Sequence, residues 1–101
     1  MVTIEAKVDY EIRETVAWIT LNRPQKLNAL AGDMREQFLS HVKAAGTDDT
    51  VRSLVVIGAG NGFCAGGDID HMVELQANSD EAGFRQLLQI GNEAILALQA
   101  F

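Results

Sequence analysis

The chain opens, after a few residues, on a strict alternation. In "AKVDYEIR", Val8, Tyr10 and Ile12 fall on one side and Lys7, Asp9, Glu11 and Arg13 on the other. A period of two predicts a half-solvated strand. "TVAWITLN" follows after the short link "RET" and is apolar on both faces, which predicts a more central strand. The link suits a hairpin but has neither Asn-Gly nor Asp-Gly, the usual two-residue turn.

"NRPQKLNAL" breaks the pattern. Pro24 cannot donate to a strand ladder and holds Arg23 extended. From Leu30 the period becomes helical: Leu30, Met34, Phe38 and Val42 recur every four residues, with Asp33, Arg35, Glu36, Gln37 and Lys43 mostly outside and Gly46 as the expected C-cap. "SLVVIGA" reads as a buried strand, parallel to a neighbour because a helix precedes it. "DIDHMVEL" predicts a short helix with Asp68 at its start. After "ANSD", a long helix presents Phe84, Leu87, Leu88, Gly91, Ala94, Ile95, Leu98 and Phe101 on one face, with Ser79, Asp80 and Glu81 at its N-terminus. The apolar stripe runs to the last residue, and three strands serve three helices. Residues 1–101 are therefore expected to be the first part of a longer domain, or a half whose remainder is another chain.

Composition narrows the functional classes. With 48% hydrophobic and 22% charged residues the chain can build a core, and a net charge of -6 with scattered Lys and Arg argues against nucleic acid as a partner. The single cysteine, Cys64, cannot close an intramolecular disulfide. The N-terminus has no basic segment followed by an apolar one, and no apolar run approaches the ~20 residues that span a bilayer. The expectation is a cytoplasmic protein with no membrane partner.

The densest chemistry lies in "GNGFCAGGDI", where a strand runs through a glycine loop into a helix, a common anion-binding arrangement. Gly60, Gly62 and Ala65 satisfy a dinucleotide-type G-x-G-x-x-G/A, but Gly66 and Gly67 interrupt the long helix that fingerprint needs. Gly62 and Gly67 have P-loop spacing, yet Asp68 stands where lysine is required and would repel phosphate. Backbone amides at Gly66-Gly67 could instead form part of an oxyanion hole, each donor typically worth about 3 kcal/mol. A tight turn with Asp68 as an ordinary N-cap fits the same spacing.

Two motifs in order, "VAWITLNRPQKLNAL" and "VRSLVVIGAGNGFCAGGDI", resemble the N-terminal half of the enoyl-CoA hydratase/isomerase, or crotonase, family from about Val8 to Met72. The resemblance implies an α/β fold, a spiral of β-β-α units of which this is the N-terminal portion. It also implies acyl-CoA chemistry through an oxyanion hole. By that resemblance Gly67 supplies the first oxyanion amide. Ala65, Asp68 and Ile69 match positions that contact the adenine and pantetheine arm, and Lys26 and Leu27 match the loop along coenzyme A. The second oxyanion glycine and the catalytic glutamates of the family match nothing in this chain.

The implied reaction is hydration of a 2-enoyl-CoA to the 3-hydroxyacyl-CoA, with double-bond isomerisation as the alternative. A non-catalytic fragment held in a complex is the alternative of another class. Coenzyme A enters as part of the substrate, with no tightly bound cofactor. The complete protein is expected as a homotrimer, as a hexamer built from two trimers, or with a second chain supplying the missing half.

Other polar residues have plainer readings. Cys64 is expected as a small buried apolar residue. His71, after Asp68 and Asp70, matches no usual metal spacing and is expected on a helix surface, so no metal site is assigned. His41 is expected exposed, Trp18 in the core, and Glu74 and Glu93 solvated.

Overall fold

The structure, a computed structural model, describes residues 7–64 and 66–101, with the main chain alone for 69–71. Strands β1 (Lys7–Arg13) and β2 (Val16–Asn22) form an antiparallel hairpin, in register from Lys7 opposite Asn22 to Arg13 opposite Val16. Glu14 takes the turn with φ 57, the positive value that a two-residue hairpin loop demands and that glycine would adopt without strain. β3 (Ser53–Gly58) lies parallel to β2 on its other side, giving the order β1-β2-β3. The apolar character of both faces of β2 is thus explained by its central position.

Alternate residues of β2, Ala17, Ile19 and Leu21, are fully buried. Trp18 departs from the core placement expected of it. It lies half-buried on the opposite face, where the Arg13 guanidinium covers its ring at 4.9 Å. β3 also departs from expectation. It pairs with β2 along one edge only, its residues are half-buried or exposed, and Ile57 is among the exposed ones. A continuous apolar run does not distinguish a doubly covered strand from one covered on a single side.

Helix α1 (Met34–Thr47) begins later than its periodicity suggests. Leu30 is not helical because its N–H donates to Gly66 O and its C=O accepts from Asp68 N, forming a bridge opposite Gly67. The helix also runs past Gly46 to Thr47, whose hydroxyl donates back to the Lys43 and Ala44 carbonyls. Asp48 follows in extended conformation and accepts from the Thr50 N–H and hydroxyl, turning the chain towards β3.

The core lies between sheet and α1, with Val8, Ile19, Leu21, Met34 and Val42 at its centre. Two polar residues of α1 seal the sheet edge. Gln37 Oε1 accepts from Val8 N at 2.8 Å, and His41 Nε2 lies 2.8 Å from Val8 O while its ring stacks on Tyr10. Both residues were expected on the solvent side. The open edge of β1 recruits them, because an exposed strand edge leaves N–H and C=O groups unpaired.

Helix α2 (Ile69–Ala77) and helix α3 (Glu81–Ala100) follow, and α3 packs on α1 and α2. Asp80 caps α3 by accepting from Gly83 N at 2.8 Å. Of the expected apolar face of α3, only Leu87 and Ala94 are buried, while Phe84, Leu88, Ile95 and Phe101 are exposed. Among the described residues no helix is long and apolar enough to cross a membrane.

Candidate functional site

The glycine loop is built from the end of β3 outward. A Cβ on Gly58 would collide with the Gly62 and Phe63 carbonyls and with Asn28 Nδ2, so the chain can fold back on itself there only without a side chain. Gly66 has φ +100, a conformation strained for any L-residue.

The "NRPQKLNAL" segment packs directly against this loop. Pro24–Lys26 make one 3₁₀ turn, and Leu27 and Asn28 follow with φ 50 and 57. That double left-handed step turns Asn28 inward, where it is fully buried. Its Oδ1 accepts from Arg23 N at 2.8 Å, and its Nδ2 donates to Ala59 O and Gly62 O, each at 2.9 Å. One amide side chain therefore closes its own loop and fastens it to the glycine loop.

Arg23 and Asp68 make the second tie. Arg23 Nη1 donates to Asp68 Oδ2 at 2.6 Å and to Ala29 O at 3.1 Å, and both charged side chains are almost fully buried. The Asp68 N–H is taken by Leu30 O. Sequence reading placed Asp68 among the ligand contacts. Its carboxylate and amide are both engaged within the protein, where they hold the helix start against the first loop.

Gly67 sits between these ties. Because Gly66 O accepts from Leu30 N at 2.7 Å, the Gly67 N–H, trans across the same peptide plane, points the opposite way. Among the described residues nothing accepts from it. Arg35 Nη2 lies 3.2 Å from the position a Cβ on Gly67 would take, and the Met72 thioether crowds the same place.

The remaining expected site residues distribute as follows. Lys26 and Leu27 are exposed at the tip of the 3₁₀ turn, and the Leu27 side chain covers Gly62. Ala65 and the side chains of Ile69, Asp70 and His71 lie outside the described residues. Cys64 is half-buried, not enclosed, and its sulfur accepts from Gly66 N at 3.4 Å. Glu74 and Glu93 are exposed on their helices.

A groove of about 510 Å³ opens between the sheet, α1 and α3, lined by apolar side chains including Leu21, Leu30, Phe38, Val56 and Phe63. Arg35 lines it too, and burial pushes its guanidinium below the usual arginine range, partly offset by the Glu36 carboxylate. Sequence reading placed Arg35 outside and did not single out Asn28. The signal for Asn28 was its position after a Pro turn, where asparagine tolerates positive φ. Arg35 stands one turn before Phe38, on the border of the apolar stripe.

The sequence model of the enoyl-CoA hydratase/isomerase family matches residues 16–95. Over 59 residues the chain is 42% identical to the 1,2-epoxyphenylacetyl-CoA isomerase of Escherichia coli, covering 58% of this chain and 22% of that protein. AtuE of Pseudomonas aeruginosa superposes with a TM-score of 0.83 at 36% identity, covering 92% of this chain and 36% of that one. An enoyl-CoA hydratase/isomerase from Mycobacterium paratuberculosis superposes with a TM-score of 0.59 at 44% identity, covering 60% of this chain and 24% of that one. The chain spans about a fifth of the length of the curated relatives it matches.

Proposed function

This chain belongs to the enoyl-CoA hydratase/isomerase family, and from that premise we propose that its glycine loop binds the thioester of an acyl-CoA and stabilises charge on the thioester oxygen. Its α/β fold is that of the N-terminal part of the crotonase spiral. One observation carries the functional reading: among the described residues the Gly67 N–H is without an acceptor, and it is held in place by the Leu30 bridge on the other side of its own peptide. An amide fixed before the ligand arrives costs no reorganisation when charge develops on the oxygen, which is what an oxyanion donor requires.

The rest of the ligand follows from the same loops. Lys26, exposed and cationic, faces the phosphates of coenzyme A, and exposed Leu27 offers apolar surface to the pantetheine arm. The Gly67 amide holds the carbonyl oxygen. The reaction we assign is hydration of a 2-enoyl-CoA: water adds across the double bond at C3, and the thioester enolate carries the negative charge until C2 is protonated. Asp68 is already committed to Arg23, and Glu74 and Glu93 are exposed on helices, so these acids are not assigned to water activation or proton return. Double-bond isomerisation is the second reading, supported by the family's description as enoyl-CoA hydratase/isomerase, and would use the same amide.

Calorimetric titration of wild type and Gly67→Pro with crotonyl-CoA and with coenzyme A tests this, with circular dichroism to confirm folding. Wild type should bind crotonyl-CoA more tightly than coenzyme A. Gly67→Pro should lose that difference while still binding coenzyme A. A folded Gly67→Pro protein that keeps the full preference removes the oxyanion assignment.

A further inference from the structure

Resting on the acyl-CoA reading, we propose that Arg35 determines specificity by receiving a carboxylate on the acyl group, so that the preferred ligands are dicarboxylic acyl thioesters. Among the described residues lining the groove between sheet, α1 and α3, Arg35 is the single charged one. Its side chain crosses that groove: Cδ and Nε lie 3.9 Å from where a Cβ on Gly91 of α3 would stand, and Nη2 lies 3.2 Å from the corresponding position on Gly67. The guanidinium therefore stands beside the residue whose amide is assigned to the thioester oxygen. Among the described residues it makes no ion pair or hydrogen bond, unlike Arg13, Arg23 and Arg85, each of which is paired with a carboxylate.

A half-buried guanidinium with no partner among the described residues is a poor neighbour for a plain hydrocarbon chain, which would desolvate it and return nothing. It suits an acyl group ending in a carboxylate, because the planar fork donates to both carboxylate oxygens at once. The apolar walls would hold the methylene segment between thioester and carboxylate. Among the described residues, no other one lining the groove carries a charge to compete for that carboxylate.

The test compares glutaryl-CoA with hexanoyl-CoA, whose acyl chain is of similar length but uncharged, by calorimetry on wild type, Arg35→Gln and Arg35→Lys. Wild type should prefer glutaryl-CoA by about tenfold, the scale of one charge-assisted hydrogen bond. Arg35→Gln should abolish the preference without weakening hexanoyl-CoA, and Arg35→Lys should keep part of it. Equal wild-type affinity for both ligands overturns the role of Arg35 and leaves the acyl-CoA reading intact. Failure of both to bind overturns the two together. If Arg35→Gln lowers ligand-free stability yet keeps the preference, Arg35 acts structurally and the proposal is wrong.

Discussion

Arg23 and Asp68, 45 residues apart in the chain, meet at 2.6 Å with both side chains almost excluded from solvent. One lies in the loop after β2, the other at the start of α2, so this pair fixes where the glycine loop ends relative to the Lys26 loop. Removing one partner of a buried pair strands the other charge, which typically costs about 3 kcal/mol or more. Asp68→Asn should therefore lower stability by that order in urea unfolding. Arg23→Met with Asp68→Leu should be less damaging than Asp68→Asn alone. A fully additive result would mean the two groups are not coupled.

Asn28 makes three hydrogen bonds from a fully buried position. Asn28→Ala leaves one donor and two acceptors unmatched and should cost about 3 kcal/mol, taking roughly 1 kcal/mol for each. Hydrogen exchange would locate the damage, with the Arg23 amide losing protection first.

Tyr10 has a buried hydroxyl with no hydrogen-bond partner among the described residues, and burial pushes its pKa up, with Asp48 adding to the shift. An unpaired buried hydroxyl is a cost, not a gain. Tyr10→Phe keeps the ring on His41 and should raise stability by up to about 1 kcal/mol. A loss of stability by thermal unfolding would reveal a partner for the hydroxyl.

Asp48 is held below its ordinary value of 3.8 by the hydrogen bonds from the Thr50 hydroxyl and N–H. Its folded pKa is lowered, so its contribution is complete above the unfolded value and disappears as pH falls through the folded one. Stability should fall on acidification through that window, and Asp48→Asn should flatten the acid limb of the stability profile. An unchanged acid limb would assign it to other carboxylates.

The elements were largely legible because strands and helices write their period into the sequence. Val8, Tyr10 and Ile12 alternate, and Met34, Phe38 and Val42 recur by helical turns. Pairing between distant segments leaves no such period. Leu30 fits the helical stripe perfectly, yet it is drawn into a bridge with Gly67 from the other end of the crossover. His41 and Gln37 look like solvent residues until β1 presents an open edge to them. At the site, the glycine run announces a tight loop, and only the family resemblance singles out Gly67 within it. The commitment of Asp68 to Arg23 and the turn of Arg35 into the groove depend on three-dimensional neighbours that no local pattern encodes.

The most direct test follows the Gly67 amide by proton–nitrogen NMR while the ¹⁵N-labelled chain is titrated with butyryl-CoA. Donation to the thioester oxygen should move the Gly67 proton downfield in a saturable way, with Lys26 and Leu27 shifting along the same isotherm. Coenzyme A alone should move Lys26 and Leu27 but not Gly67. If Gly67 stays in place while butyryl-CoA binds the folded chain, the thioester is held elsewhere and the oxyanion account is wrong.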